Sequence, residues 1–266
     1  MSIFLKTEDE IDLMRKANRL VGATLAELGR HIRPGVTTLQ LDQLAEEFIR
    51  DHGAVPTFKG YPNPFGSPFP ASICTSVNEV VVHGIPNDKQ VLREGDIISI
   101  DCGALLDGFN GDSCYTFCVG EVAPEVKRLL ATTKESLYKG IEVAIAGRHV
   151  GDIGHAVQTY CASHGYGIVR ELAGHGIGRD MHEEPQVPNY GNEGSGVMLK
   201  SSMCIAIEPM VTLGDRRVFL LSDKWGIITR DMKPAAHFEH TIVIRQGEAE
   251  ILSSFKEIEQ FERENN

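Results

Sequence analysis

With 266 residues, 42% hydrophobic and 24% charged, the chain has the composition of a folded globular protein with enough apolar side chains for a sizeable core, which excludes fibrous and disordered classes. Its formal charge of −11 offers no basic patch for nucleic acid or an anionic membrane. The opening MSIFLKTEDE is too weakly apolar for a signal peptide, no stretch approaches membrane-spanning length, and the six cysteines form no CxxC pair and suit buried reduced thiols, so a cytoplasmic protein is expected.

Thr7-Glu8-Asp9-Glu10 reads as a capping box, and Ile11, Met14, Ala17, Val21, Leu25 and Leu28 follow at helical spacing, which predicts a long helix over about 8–31. A second helix, about 38–52, carries Leu39, Leu41, Leu44, Ala45 and Phe48 and stops at Gly53. Residues 56–70, PTFKGYPNPFGSPFP, show no period and are dense in proline, glycine and aromatics, which reads as an ordered loop. Strand-like runs at 71–76, 79–83 and 96–103 lead to Asp107-Gly108, the dipeptide best suited to the two positive φ angles of a type I′ hairpin turn. With those two residues as the loop, Asp101 lies opposite Cys114 and Asp112 opposite Gly103. The two aspartates then share a face as diagonal neighbours, roughly 7 Å apart, and Cys102 turns the other way into packing. Helices at about 124–146 and 152–164 precede strands near 167–172, 203–208, 217–221, 226–229 and 238–245. Two helices followed by a strand ending in an acid (GDIISID to Asp101, SMCIAIE to Glu208) thus occur twice. One domain with similar halves, about 7–122 and 123–252, is expected, with 253–266 as a charged tail, either a surface helix or disordered.

Two carboxylates converging on a strand pair repel each other unless one is protonated or a cation sits between them; the plainer account makes both solvated turn-flanking acids. Three residues further along bear on that choice. His175 stands between glycines in GHGIG, Glu208 ends an apolar strand before Pro209, and Glu239 shares an alternating run with apolar neighbours. Singly, each has an ordinary structural explanation, since charged residues at strand ends are common. Together, four carboxylates and one imidazole carry too many acids for a structural zinc site and suit two divalent ions that share carboxylates. No GxxxxGK[ST] loop and no GxSxG elbow is present, GHGIG does not extend to GxGxxG, and His182-Glu183-Glu184 is followed by Gln186 where HExxH needs histidine.

Five stretches in order, NEVVVHGIP at 78–86, the Asp101/Asp112 hairpin, GHGIGRDMHEEPQV at 174–187, IEPM at 207–210 and FEHT at 238–241, give a chain that resembles the type I methionine aminopeptidases of the short bacterial form, from Thr7 to about Leu252. The resemblance implies an α+β "pita-bread" fold, two pseudo-symmetric halves around a curved, mainly antiparallel sheet. It implies a dinuclear centre in which Asp112 and Glu239 bridge, Asp101 completes one ion, and His175 with Glu208 completes the other. The activity implied is removal of an N-terminal methionine before a small second residue, through attack by a metal-bridging hydroxide. Glu208 would move the proton, His182 would stabilise the oxyanion, and His83 would orient or protonate the leaving amine. The methionine slot would be walled by Phe58, Tyr61, Cys74, His83, Met181, His182 and Trp225, whose plain alternative is ordinary packing.

The expected partners are nascent N-termini met by a monomer, with ribosome docking left open, and Mn²⁺, Fe²⁺, Co²⁺ and Zn²⁺ all suit the donors. Three features depart from the pattern. The segment 62–70 is several residues longer than usual, Met181 stands where some relatives have an aromatic, and His237 stands where glutamine is expected. Two alternatives remain: an X-Pro aminopeptidase or prolidase of the same fold, which usually carries an extra preceding domain, and a non-catalytic peptide-binding relative, which would have lost a ligand.

Overall fold

The structure is a computed structural model describing residues 3–265; Met1, Ser2 and Asn266, the last residue of the expected tail, lie outside the described residues. In chain order the elements are α1 (Glu8–His31), α2 (Thr38–Asp51), β1 (Val55–Pro56), β2 (Ile73–Val77), β3 (Val80–Val82), β4 (Ile97–Leu106), β5 (Phe109–Cys118), α3 (Pro124–Val143) and α4 (Val150–Ser163). There follow β6 (Gly167–Ile168), β7 (Ala173–Gly176), β8 (Glu183–Pro188), β9 (Cys204–Ile207), β10 (Met210–Thr212), β11 (Val218–Leu220), β12 (Ile227–Thr229), β13 (Ala235–His237), β14 (Glu239–Val243), β15 (Glu250–Ile251) and α5 (Lys256–Asn265). Every strand pairing among the described residues is antiparallel, as expected for this α+β chain. No helix among them is long and apolar enough to cross a membrane.

The helix starts follow their local chemistry. Thr7 and Thr37 each accept from the backbone N–H three residues on while Glu10 and Gln40 reach back, so orphan donors at both helix ends are satisfied. Pro124 opens α3 at a position where its missing N–H costs nothing. The expected tail is a packed helix: Ile258 of α5 and the preceding Phe255 are buried in the main core, and Tyr115 donates to Glu262 at 2.8 Å.

The β4–β5 hairpin has the anticipated register. Asp107 and Gly108 adopt φ of 52° and 81°, the paired left-handed residues of a type I′ turn, and set Asp101 against Cys114 and Gly103 against Asp112. Alternation divides the strands: Ile98, Ile100, Cys102 and Ala104 enter the core that the helices cover, while Asp101 and Gly103 turn to the other side. The large sheet runs β1-β4-β5-β14-β9-β7-β8, which puts β14 beside the hairpin and β9 beside β14. Glu239 pairs with Cys114, itself paired with Asp101, so three strands carry one row of residues pointing the same way. Beyond β14, Ile207 pairs with His240, and Glu208 follows at the break between β9 and β10.

Besides the short strands β1, β10, β13 and β15, two strands next to the centre were not foreseen. The glycine-rich Ala173–Gly176 and the following Glu183–Pro188 form β7 and β8 because each finds a partner edge, not because their residues favour strands. A buried ion pair at 2.5 Å, Lys6 with Glu183, fastens the segment before α1 to β8.

Candidate metal centre

The hairpin, β7, the end of β9 and the start of β14 deliver Asp101, Asp112, His175, Glu208 and Glu239 to one cavity. Asp112, His175 and Glu239 are buried, and donor atoms of these three all lie within 4.8 Å of one another. Asp101 and Glu208 are partly open to the cavity.

His175 shows what the group requires. Its Nδ1–H donates to the carbonyl of Gly176 at 2.8 Å, so Nε2 carries the lone pair. That lone pair faces Asp112 Oδ2 at 3.7 Å and Glu208 Oε1 at 3.6 Å. Such spacings are too long for hydrogen bonds, and burial pushes the imidazole down to about 3, with the charge of His182 adding to the fall, so these contacts are not ion pairs. Acceptors converging on an acceptor suit donors that each sit about 2.0–2.2 Å from a shared cation.

The carboxylates agree. Buried Asp101 Oδ1, Asp112 Oδ1 and Glu239 Oε1 have no hydrogen-bond partner among the described residues. Burial pushes Asp101 up to about 7, against the easing effect of its hydrogen bond with Asp112. Burial also raises Asp112, followed by the charges of Glu239 and Asp101; it raises Glu239, followed by Glu208 and Asp101; and it raises Glu208, followed by Asp101 and Asp112. Four carboxylates this close cannot all ionise without a compensating cation, and the donor set, oxygen-rich with one imidazole, fits a divalent metal.

Around these donors the same cavity is lined by Phe58, Tyr61, Phe69, Cys74, His83, His182 and Trp225. Tyr61, whose burial raises its phenol, keeps its proton and donates to His182 Nδ1 at 2.6 Å, which leaves His182 Nε2–H as a donor. The His182 ring lies 4.3 Å from that of His175, centroid to centroid. His83 sits at φ 58°, a left-handed conformation strained for a residue with a Cβ, and burial holds its imidazole at about 4. Met181 is buried in the same apolar cluster as Phe58 and Cys74 rather than among the cavity-lining residues. With Phe58 it crowds Gly103, where a Cβ would collide with both.

His237 is also buried behind the site. Its Nε2 has no hydrogen-bond partner among the described residues and stands 3.7 Å from Glu208 Oε2, the oxygen turned away from His175. His240 points away from the centre, to Ser253 at 2.6 Å and Tyr138 at 3.3 Å, as alternation along β14 requires. The remaining histidines, 31, 52, 149, 155 and 164, lie in or at the ends of α1, α2 and α4.

Two contributors escaped the sequence reading. Phe69 lies in the aromatic stretch read as an ordered loop and meets Trp225 edge to face at 5.1 Å. Asn18, fully buried on the apolar face of α1, accepts from the Asp112 backbone N–H at 3.2 Å; a polar residue inside that helical stripe was its only signal.

Residues 12–246 match metallopeptidase family M24. The chain is 50% identical to the methionine aminopeptidase of Clostridium acetobutylicum over 94% of this chain and 98% of that one. It is 50% identical to methionine aminopeptidase 1 of Bacillus subtilis over 94% and 99%. The crystal structure of methionine aminopeptidase from Thermotoga maritima superposes with a TM-score of 0.92 at 42% identity, covering 95% of this chain and all of that one. A prolidase of Pyrococcus horikoshii shares the fold at TM-score 0.75, with 23% identity over 63% of its length. The chain has the pita-bread fold and belongs to metallopeptidase family M24, within its methionine aminopeptidases of the bacterial type I form.

Proposed function

We propose that this protein removes the N-terminal methionine from newly made proteins and peptides whose second residue is small, in the cytoplasm, using two divalent ions held by Asp101, Asp112, His175, Glu208 and Glu239. The observation that carries the reading is the lone pair of His175 Nε2 facing two carboxylates, in a cavity whose other wall is apolar. When bound, the ions supply a Lewis acid for the scissile carbonyl and lower the pKa of the attacking water.

The protein's own groups supply the rest. An unbranched thioether fits among Phe58, Tyr61, Phe69, Cys74 and Trp225, where apolar and sulfur–aromatic contacts hold it. The α-amino group meets the carboxylates, of which Asp101 Oδ1, Asp112 Oδ1 and Glu239 Oε1 have no hydrogen-bond partner among the described residues. Glu208, the carboxylate at the break between β9 and β10, takes the proton of the attacking water and returns it to the departing amine. His182 donates from Nε2, in the tautomer fixed by Tyr61, to the oxygen that becomes negative. His83, held rigid by its backbone and by Trp225, orients the leaving amide.

The test is to load purified protein with Mn²⁺, Co²⁺ or Fe²⁺ and offer Met-Ala-Ser and Ala-Pro-Ala. Methionine is released from the first, nothing from the second, and a chelator abolishes release. Release of alanine alone would overturn the assignment in favour of an X-Pro peptidase, and no turnover with any metal would favour a binding protein.

A further inference from the structure

Of the long segment 62–70, Phe69 lines the methionine pocket, while Pro62, Asn63, Pro64 and Phe65 have a place in the fold that the pocket does not use. It is pinned to the turn between β11 and β12: Trp225 Nε1–H donates to Ser67 O at 3.0 Å, Asn63 Nδ2 donates to Lys224 O at 2.9 Å, and Phe69 packs on the Trp225 ring. Asn63 Oδ1 accepts from Phe65 N–H at 2.8 Å, and the base is closed by Phe69 N–H to Tyr61 O at 2.9 Å and Gly60 N–H to Phe69 O at 2.8 Å. Between segment and turn lies a groove walled by Pro64 and Phe65 on one side and Leu220 and Ile227 on the other. Phe65 is 80% exposed and Leu220 53%, so apolar rings and methyls face water along a groove whose one charged lining residue is Lys224.

His83 and Trp225 line this groove and also line the metal-site cavity, so the two adjoin at these side chains. The methionine side of the centre is closed by Phe58, Cys74 and the buried Met181. The groove is the apolar surface next to the cavity on its His83 and Trp225 side. An extended peptide advances about 3.3–3.6 Å per residue, so the third and fourth residues of a substrate cut beside His83 lie roughly 3–7 Å beyond the second, within reach of a groove that begins at His83 and Trp225.

We infer that the 62–70 segment and the β11–β12 turn form an extended subsite that binds apolar side chains at the third and fourth residues of the peptide substrate. This rests on the aminopeptidase reading above and adds sequence preference beyond the second residue. Burial of an exposed aromatic ring against a substrate side chain acts on binding, so the preference shows in KM more than in kcat.

The test compares Met-Ala-Phe-Leu with Met-Ala-Ser-Gly on the Mn²⁺-loaded enzyme, wild type, Phe65→Ser, Leu220→Ser and the double variant. The ratio of kcat/KM for the two peptides is internal to each protein, so differences in yield or metal loading cancel. The expected wild-type ratio is about tenfold, carried mainly by KM, falling towards one in the double variant. A wild-type ratio near one, or a ratio that survives in the double variant and both single variants, would overturn the subsite. Failure of the wild type to cleave either peptide would instead sink the aminopeptidase reading, and the subsite with it.

Discussion

Asp112 and Asp101 share one face of a hairpin, yet they hold different positions in the centre. Asp112 belongs with His175 and Glu239 to the tight buried trio, whereas Asp101 stands outside it and partly open to the cavity. Asp112→Asn removes a donor from the middle of the group, so metal uptake and Met-Ala-Ser turnover are expected to fall to background while the circular dichroism spectrum is unchanged. Asp101→Asn is expected to weaken one ion only, seen in calorimetric titration as one lost binding event with the other retained. Equal behaviour of the two variants would contradict unequal roles. His237 gives a second contrast. Its Nε2, which has no hydrogen-bond partner among the described residues, lies beside the Glu208 oxygen that His175 does not face, a position from which an N–H fixes the carboxylate's orientation. His237→Leu is expected to weaken metal binding about 10–100-fold, and His237→Gln, which keeps a donor, by much less. A metal titration of both variants decides it: equal losses would mean that only packing matters there.

At the level of elements, the hairpin and α1 form one unit. Gly111 lies against α1 so closely that a Cβ would meet Ala17 C and Asn18 N at 2.6 Å, both backbone atoms that cannot swing aside. Gly111→Ala is therefore expected to cost about 1–3 kcal/mol in urea unfolding, as overpacking does. Because Asn18 also accepts from the Asp112 N–H, displacement of α1 should weaken metal binding as well; a destabilised variant with wild-type affinity would separate the two. The same unit explains what could be read in advance. Asp107-Gly108 is a local turn signal, the flanking β-prone residues alternate, and Thr7 and Thr37 start their helices by contacts three residues away, so these elements needed no tertiary information. Strands β7 and β8 had no such signal. Ala173–Gly176 carries two glycines and no β-branched residue, and it becomes a strand only because β8 and β9 offer edges to it. Phe69 was hidden for a related reason: a loop without period does not reveal which of its aromatics turn inward, and that is settled by Trp225, far away in sequence.

For the whole molecule, the centre joins distant parts of the chain. Asp101 and Asp112 precede α3, and His175, Glu208 and Glu239 follow α4, so folding gathers four acids that the unfolded chain keeps apart. Their raised affinity for protons has a sign that can be followed. An acid whose folded pKa exceeds its unfolded value, about 3.9 for aspartate, adds stability below that unfolded value and withdraws it as pH rises through the folded one. For Asp101 the folded value is about 7, and Asp112, Glu208 and Glu239 are raised as well. The chelated protein should therefore lose stability progressively from about pH 4 through pH 7 as the centre is forced to ionise. Divalent metal binds the ionised carboxylates and competes with protons, so the loaded protein gains where the chelated one loses. Thermal unfolding of the Mn²⁺-loaded and EDTA-treated protein from pH 5 to pH 8 is expected to show a gap in Tm that widens with pH. Shared effects of pH on surface groups cancel in that difference, leaving the centre as its source. A gap that stays constant or narrows towards pH 8 would mean that the four acids are not held together at the expense of folding, and that their convergence does not depend on a cation.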